Sequence, residues 1–367
     1  MITQQQYDKK YKELRRQRKK KEIIENEFWN ARSVLGNDWA IFFFFLGGRE
    51  AGKSYTISNL FAYQFVQKGR PFYWLRLTEK SAGKLLQNNA EKLIDPDIRR
   101  RLNLDLTTNG DCVYAVTRRG KDGRILEKKL MARVLALSTF YNDKGSGLFD
   151  ADFLKDPNMY YNICLDEMNR EKNEKNSFDI VYSFVNQLEN LVRSTKKRIR
   201  VICIGNTLEE ASDLLCAINF IPEEFGRYKI RKKRAVIDYI EPTEKYKQRR
   251  SGTIADLLTP EASTFTNKIE VDKALISKRR LKKPTMIIKF TKERDTWFTV
   301  WDGNIISRYN KEQNKTVVAM RPYLDEKFIT QLRDNVMLLF DTRCLYFKDL
   351  ITFKLFQKEL ELLKPRK

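Results

Sequence analysis

The apolar residues of this chain change period several times, and each change marks an element. Ile24, Phe28, Ala31 and Leu35 are spaced four, three and four apart, which predicts an amphipathic helix that Gly36-Asn37 would stop. Ala40 to Leu46 is almost entirely apolar and rich in Phe, the pattern of a strand buried on both faces of a parallel sheet. Glycines follow, and then Ser54 to Lys68 returns to helical spacing, with Ile57, Phe61 and Phe65 on one face and Gly69 where a C-terminal cap belongs. Pro71 to Leu77 reads as the next strand, and strand, loop, helix, strand in succession predicts an α/β sheet.

Further along, Cys112 to Thr117 and Arg124 to Lys129 flank the turn Gly120-Lys121-Asp122-Gly123 as a hairpin, and Val134 to Leu137 reads as a separate core strand. Tyr161 to Leu165 is another strand and ends in Asp166-Glu167. Asp179 to Arg193 has helical spacing, with Val181, Phe184, Val185, Leu188 and Val192 as its expected buried face. Ile199 to Ile204 is a further strand, ending at Gly205-Asn206. The pattern predicts a basic helical arm over 1–36 and one doubly wound, mainly parallel α/β domain over 37–207. From 208 to 258 charged and turn-forming residues dominate, including Arg231-Lys232-Lys233-Arg234 and Arg249-Arg250-Ser251-Gly252, and predict a linker with some helix of its own. Residues 259–367 predict a smaller α+β domain, with strands at 286–290, 297–301 and 305–309, a turn at Asp302-Gly303, and helical segments near 326–340 and 347–363. No internal repeat is visible.

Composition narrows the chemistry. The 367 residues suit two domains, each able to bury its own core. Lys+Arg 71 against Asp+Glu 48 gives 71 − 48 = +23, spread from end to end, a charge that draws polyanions and nucleic acid first among them. The densest run, Lys9 to Lys21, reads either as a solvated arm or as one that touches phosphate or a partner. Histidine is absent, which excludes Ser-His-Asp, Cys-His and His-zinc chemistry. The cysteines Cys112, Cys164, Cys203, Cys216 and Cys344 form no CxxC pair and suit a reducing compartment. No apolar run approaches the roughly 20 residues of a membrane helix, and no secretory apolar core follows the basic start, so neither a membrane anchor nor a signal peptide is expected.

One segment carries a specific chemical pattern. Gly47-Gly48-Arg49-Glu50-Ala51-Gly52-Lys53-Ser54 matches GxxxxGK[ST] between a buried strand and a helix, where the phosphate-binding loop of a nucleotide hydrolase belongs. Glycines let the backbone N–H groups converge on phosphate oxygens at the positive end of the helix. Lys53 would then reach the β- and γ-phosphates of ATP, and the Ser54 hydroxyl would enter a Mg2+ shell. Such a loop needs a carboxylate at the tip of a neighbouring apolar strand, and Asn162-Ile163-Cys164-Leu165-Asp166-Glu167 supplies it: Asp166 for the metal, Glu167 as general base for the attacking water. Asn206 stands where a γ-phosphate sensor or holder of the lytic water would sit. An arginine from a neighbouring subunit commonly adds a factor of roughly 10³ to 10⁵, and Arg193, Arg198 and Arg200 are the candidates. A helix end is also a good place for Arg193 on dipole grounds alone.

With these residues in view, the chain resembles the DNA packaging ATPases of small phi29-like podophages. The resemblance is carried by Gly47 to Ser54, by Tyr73-Trp74-Leu75-Arg76, by Leu165-Asp166-Glu167 followed by Arg170-Glu171-Lys172, by Leu191-Val192-Arg193, and by Cys203-Ile204-Gly205-Asn206. It implies a P-loop ATPase domain of the additional-strand, catalytic-glutamate class and a C-terminal domain like a vestigial RNase H-type nuclease. It also implies a five-membered ring on the procapsid portal vertex in the host cytoplasm, absent from the mature virion, acting on double-stranded DNA and touching a structural RNA in some members. By position, Arg193 is similar to the family's trans-acting arginine, Lys144 to a lysine that crosses the subunit boundary, and Lys80, one residue out of register, to a DNA-facing lysine. The long basic N-terminus and the hairpin near 112–129 depart from the family's shorter members. The favoured reading is thus an ATP-driven duplex DNA translocase. The alternatives are a terminase-type enzyme whose C-terminal domain still cuts DNA, for which Asp302, Asp334 and Asp341 are available without recognisable spacing, and a nucleic-acid scaffold with a relic nucleotide site.

Overall fold

The computed structural model describes residues 28–144, 160–170, 178–192, 198–206, 212–254, 257, 274–289, 296–310, 338–340 and 342–363. The basic run Lys9 to Lys21 and Arg193, Asp334 and Asp341 lie outside them. The chain forms two compact units, Met1–Glu209 with Pro222–Ile269, and Glu210–Ile221 with Glu270–Lys367.

The first unit is built on a nine-stranded sheet. Its strands are β1 (Phe42–Gly47), β2 (Phe72–Arg76), β3 (Leu106–Asn109), β4 (Cys112–Arg119), β5 (Ile125–Ala136), β6 (Tyr160–Asp166), β7 (Arg198–Asn206), β8 (Gly226–Ile230) and β9 (Ala235–Tyr239), in the order β3-β4-β5-β2-β6-β7-β1-β9-β8. From β5 through β9 every neighbouring pair is parallel, and antiparallel strands finish both edges. The Phe-rich run is why β1 can lie centrally: Phe43, Phe44, Phe45 and Leu46 are all buried, alternately on the two faces. β7 lies between β1 and β6, so one additional strand separates the phosphate-loop strand from the carboxylate strand, as the resemblance implies.

Helix α1 is short (Arg32–Leu35), and α2 (Lys53–Lys68) follows β1. α2 buries Ile57, Phe61 and Phe65 as expected, and Gly69 ends it at φ 61 with its N–H on the Phe65 carbonyl. Phe61 is fully buried against Phe72 and Trp74, and its removal would cost roughly 3–5 kcal/mol. After β2 come α3 (Glu79–Ala90) and α4 (Pro96–Leu102); α5 (Ile180–Val192) lies between β6 and β7.

Several expectations are corrected here. Among the described residues of the expected amphipathic helix only Arg32–Leu35 are helical and 28–31 are not, because the chain at Trp29 is tied elsewhere: its N–H reaches the Ala51 carbonyl and its own carbonyl accepts from Thr56 Oγ1. The second hairpin strand and the separate core strand are one twelve-residue strand, β5, whose Met131 and Ala132 are already buried. The face of α5 is rotated from the expected one. Ile180, Ser183, Phe184, Gln187 and Leu191 are buried, whereas Val185 is exposed. A polar partner causes this: Gln187 Nε2 donates to Asp143 at 2.7 Å and Asn190 to the Phe140 carbonyl at 2.8 Å, docking α5 on the 3₁₀ segment Leu137–Asp143. Finally, the described residues of the expected linker 208–258 are folded parts of the units. They supply β8, β9 and the helix α7 (Glu244–Arg250), and β9, fully buried, pairs directly with β1.

The second unit carries a four-stranded sheet, β10 (Pro284–Ile288), β11 (Phe298–Trp301), β12 (Ile305–Arg308) and β13 (Tyr346–Phe347). The first three form an antiparallel meander, and β13 lies parallel beside β12. Ile288, Phe298, Val300, Ile306 and Phe347 form its core with Phe356 and Leu360 of α8 (Leu350–Leu363). The short helix α6 (Asp213–Ala217) belongs to this unit, with Asp213 3.9 Å from Lys358. Asp302, weighed as a nuclease carboxylate, instead turns the chain: its carboxylate accepts from the backbone N–H groups of Lys282 and Lys283.

Candidate functional site

Parallel strands leave a crevice at their C-terminal ends. Here a cleft of about 620 Å³ opens there, lined among others by Gly52, Lys53, Ser54, Arg76, Asp166, Glu167 and Asn206. Four strand tips thus contribute: β1 through its loop, β2 through Arg76, β6 through the carboxylates and β7 through Asn206.

The loop from Gly47 to Ser54 is held in place by the rest of the unit. Gly52 is left-handed at φ 83, a conformation that favours glycine, and a Cβ there would also sit tightly against the Phe28 side chain at 3.2 Å. Trp29 fixes Phe28 from behind, its indole N–H donating to Asp238 at 2.9 Å and its ring 4.5 Å from that of Phe45. The loop's tip is held by α7: Tyr246 donates to the Arg49 carbonyl at 2.7 Å, Arg249 to the Glu50 carbonyl at 3.0 Å, and Arg250 pairs with the Glu50 carboxylate at 3.1 Å.

Inside the loop, Lys53 is buried, and its ammonium donates to the carbonyls of Gly47 at 2.9 Å and Gly48 at 2.6 Å. Burial lowers its pKa to about 8, with Asp166 opposing the fall. Ser54 Oγ donates to Asp166 Oδ1 at 2.9 Å, bringing together residues 112 apart in sequence. Asp166 is itself buried, and desolvation raises its pKa despite the pull of Arg76 and Ser54. A hydroxyl and a buried, hard carboxylate touching at the start of α2 form a donor set that fits Mg2+, and the amides and ammonium of the loop fit a triphosphate.

Glu167 is half-exposed at the cleft and adopts φ 56, left-handed for a non-glycine residue, so its placement carries backbone strain. Its carboxylate is ion-paired with Arg76, whose other guanidinium nitrogen sits 3.2 Å from Asp166. Burial pulls Arg76 down, but the two carboxylates outweigh it and hold its pKa above the ordinary value. Reasoning from sequence assigns Arg76 no role. The available signal is a charged residue ending the apolar strand Phe72-Tyr73-Trp74-Leu75, at the same level as the strand that ends in Asp166.

Asn206 closes β7 on the cleft wall. Behind it, Met168 N–H bonds to the Ile204 carbonyl at 2.9 Å, docking the loop after Glu167 on the end of β7. A Cβ on Gly205 would come within 2.8 Å of Asn169 Nδ2 and 3.0 Å of Met168 Cε, the ends of two side chains that would have to shift to make room. Lys80 is exposed in the first turn of α3, and Lys144 is exposed just past the 3₁₀ segment; neither lines the cleft. Arg198 and Arg200 lie in the first residues of β7, at the opposite end of that strand from Asn206.

A family model described as podovirus DNA encapsidation protein (Gp16) matches residues 24–352. The DNA packaging protein of Bacillus phage phi29 is 23% identical over 206 residues, covering 55% of this chain and 53% of that protein, so the chain spans about half the length of this relative. The solved Phi-28 gp11 DNA packaging motor is similar in fold, with a TM-score of 0.62 at 16% identity over 94% of this chain and 100% of that one. The bacteriophage Phi-29 viral genome packaging motor assembly gives 0.58 at 21% identity, over 91% and 100%. The family match begins ahead of the phosphate loop and runs through both sheets, and the chain belongs to the podovirus DNA encapsidation protein (Gp16) family.

Proposed function

We propose that this chain is an ATP-hydrolysing motor that drives double-stranded DNA into a viral procapsid, working as a homo-oligomeric ring, a pentamer, at the portal vertex in the host cytoplasm. The observation that carries the reading is the convergence of Lys53, Ser54, Asp166 and Glu167 on one cleft, the Ser54–Asp166 contact above all. The family's description and the packaging motors of similar fold support the choice of duplex DNA as substrate. A structural RNA is a further proposed partner.

In this reading the loop amides and the amino end of α2 bind the triphosphate, and Lys53 exchanges the Gly47 and Gly48 carbonyls for β- and γ-phosphate oxygens. Ser54 and Asp166 would hold Mg2+, which supplies charge neutralisation on those oxygens. Glu167 takes the proton of the water whose oxygen attacks the γ-phosphorus, as the bond to the ADP leaving oxygen breaks. A carboxylate tied up by Arg76 is a poor base, so Arg76 decides where Glu167 points. Asn206 orients the water or the γ-phosphate from the next strand tip. Arg193 is proposed to stabilise the leaving phosphates of a neighbouring subunit, Lys144 to reach the same boundary, and Lys80 to face DNA.

ATP turnover with and without duplex DNA tests the reading. Glu167→Gln should keep ATP binding and lose turnover by roughly 10²- to 10⁴-fold, while Lys53→Ala loses both. Turnover of Glu167→Gln at the wild-type rate would remove Glu167 from the role of base. Mixing Arg193→Ala with Lys53→Ala protein should restore part of the activity at mixed interfaces, and no rescue counts against a trans role. Asp302, spent on its own turn, gives the nuclease alternative no support.

A further inference from the structure

The hairpin of β4 and β5 is much longer than the sheet needs. β5 pairs with β2 only from Ala132, which stands opposite Phe72, the first residue of β2. The strands run in the same direction, so residues 125–131 extend past the start of β2, away from the end where Arg76 meets the cleft. β4 likewise has β3 beside it only as far as Ala115. The remainder, Val116–Arg119 against Ile125–Lys128, is a two-stranded ribbon of roughly 14 Å at about 3.4 Å per residue, largely exposed on both faces. Register shifts between Val116 and Arg118 and between Arg118 and Arg119 give it extra twist.

Arg118, Arg119, Lys121, Arg124 and Lys128 stand on this ribbon against only Asp122 and Glu127, with Lys129 at its base over the Phe65 ring. Some of the charge is compensated locally: Arg118 lies 3.9 Å from Glu127, Arg124 3.2 Å from Asp122, and Arg119 2.6 Å from Asp105. Lys121 and Lys128 meet no carboxylate among the described residues, and Lys128 stands over the Tyr114 ring at 4.2 Å. A solvated surface needs neither a ribbon this long nor this excess of one sign.

We propose that the ribbon docks on the phosphate backbone of duplex DNA, at a place separate from the nucleotide cleft and at the other end of the same sheet. A two-stranded ribbon matches the B-form major groove, about 12 Å wide, whereas the major groove of A-form RNA is too narrow for side chains. The inference rests on the reading of duplex DNA as substrate. Phosphate contacts hold position without reading sequence, so their signature is counterion release.

The test is fluorescence anisotropy with labelled duplex DNA and duplex RNA over a series of salt concentrations. It uses the full chain, the Lys121→Gln/Arg124→Gln/Lys128→Gln variant and the Lys121→Arg/Lys128→Arg variant. The Gln variant should bind DNA at least tenfold more weakly at low salt, with the slope of log K against log salt shallower by roughly 0.9 for each phosphate no longer neutralised. The Arg variant should bind like wild type. Wild-type affinity and slope in the Gln variant overturn the inference, and weakening confined to duplex RNA overturns it too. A wild-type protein with no affinity for duplex DNA would instead remove the substrate reading beneath it. Should the triple variant fail to fold, the single Lys121→Gln change at the turn decides the question in its place: a slope shallower by about 0.9 supports the inference, and an unchanged slope overturns it.

Discussion

The two ends of the first sheet hold charge in opposite ways. At the C-terminal end of the parallel strands, Lys53 and Asp166 are buried, Arg76 is nearly so, and every charge is fixed by named partners. On the ribbon, Arg118, Arg119 and Arg124 pair in open water, where ion pairs are individually worth little. The first arrangement shifts pKa values and stores strain at Glu167; the second leaves the net charge of the surface as its main property. Low dielectric turns charge into chemistry, and high dielectric leaves it free to attract a polyanion.

The contrast can be broken most sharply at Arg76. Arg76→Ala leaves Asp166 buried without its strongest neutralising partner, and should destabilise the protein by about 3 kcal/mol in denaturant unfolding. A loss well under ~1 kcal/mol would show that the cluster is wetter than its burial implies. Gly205→Ala comes next: the new methyl meets only the ends of the Asn169 and Met168 side chains, at 2.8 and 3.0 Å, and the loss in the same measurement should stay near the lower end of the overpacking range, about 1 kcal/mol.

Lys53 gives a pH signature. Between about 8 and its ordinary 10.5 the folded protein holds Lys53 neutral while the unfolded chain holds it charged, so stability should rise with pH through that window, the burial penalty applying below about 8. Triphosphate demands the charged form. Nucleotide affinity should therefore fall about tenfold per pH unit above 8, with proton uptake on binding measurable by calorimetry in buffers of different ionisation enthalpy, and Lys53→Ala should abolish the uptake. Smallest of all, Arg119→Ala on the ribbon should leave the thermal midpoint unchanged, despite its bidentate contact with Asp105.

The parts legible in the sequence are those in which one short segment contains its own reason. Gly47 to Ser54 encodes strand end, turn and helix start within eight residues, and Asn162 to Glu167 encodes a buried strand and its charged tip. Features that depend on distant partners are not legible. Arg76 acquires its role from carboxylates 90 residues later, delivered by the pairing of β2 with β6. The buried face of α5 includes Gln187 because Asp143 waits opposite, a match that hydrophobic spacing cannot register. β8 is hidden by its polar, half-exposed sequence, and with it β9, although Ala235-Val236-Ile237 is as apolar as any strand in the unit.

The path of the chain between the units has a practical consequence for anyone dividing the gene. After β7 the polypeptide leaves the first unit, gives Glu210–Ile221 to the second, and returns with β8 and β9 before leaving again. A stop codon placed just after Asn206, the natural choice on sequence grounds, would strip β1 of its β9 neighbour and the phosphate loop of its α7 brace. A fragment intended to isolate the nucleotide-binding half must keep Pro222–Ile269 together with the residues up to Glu209.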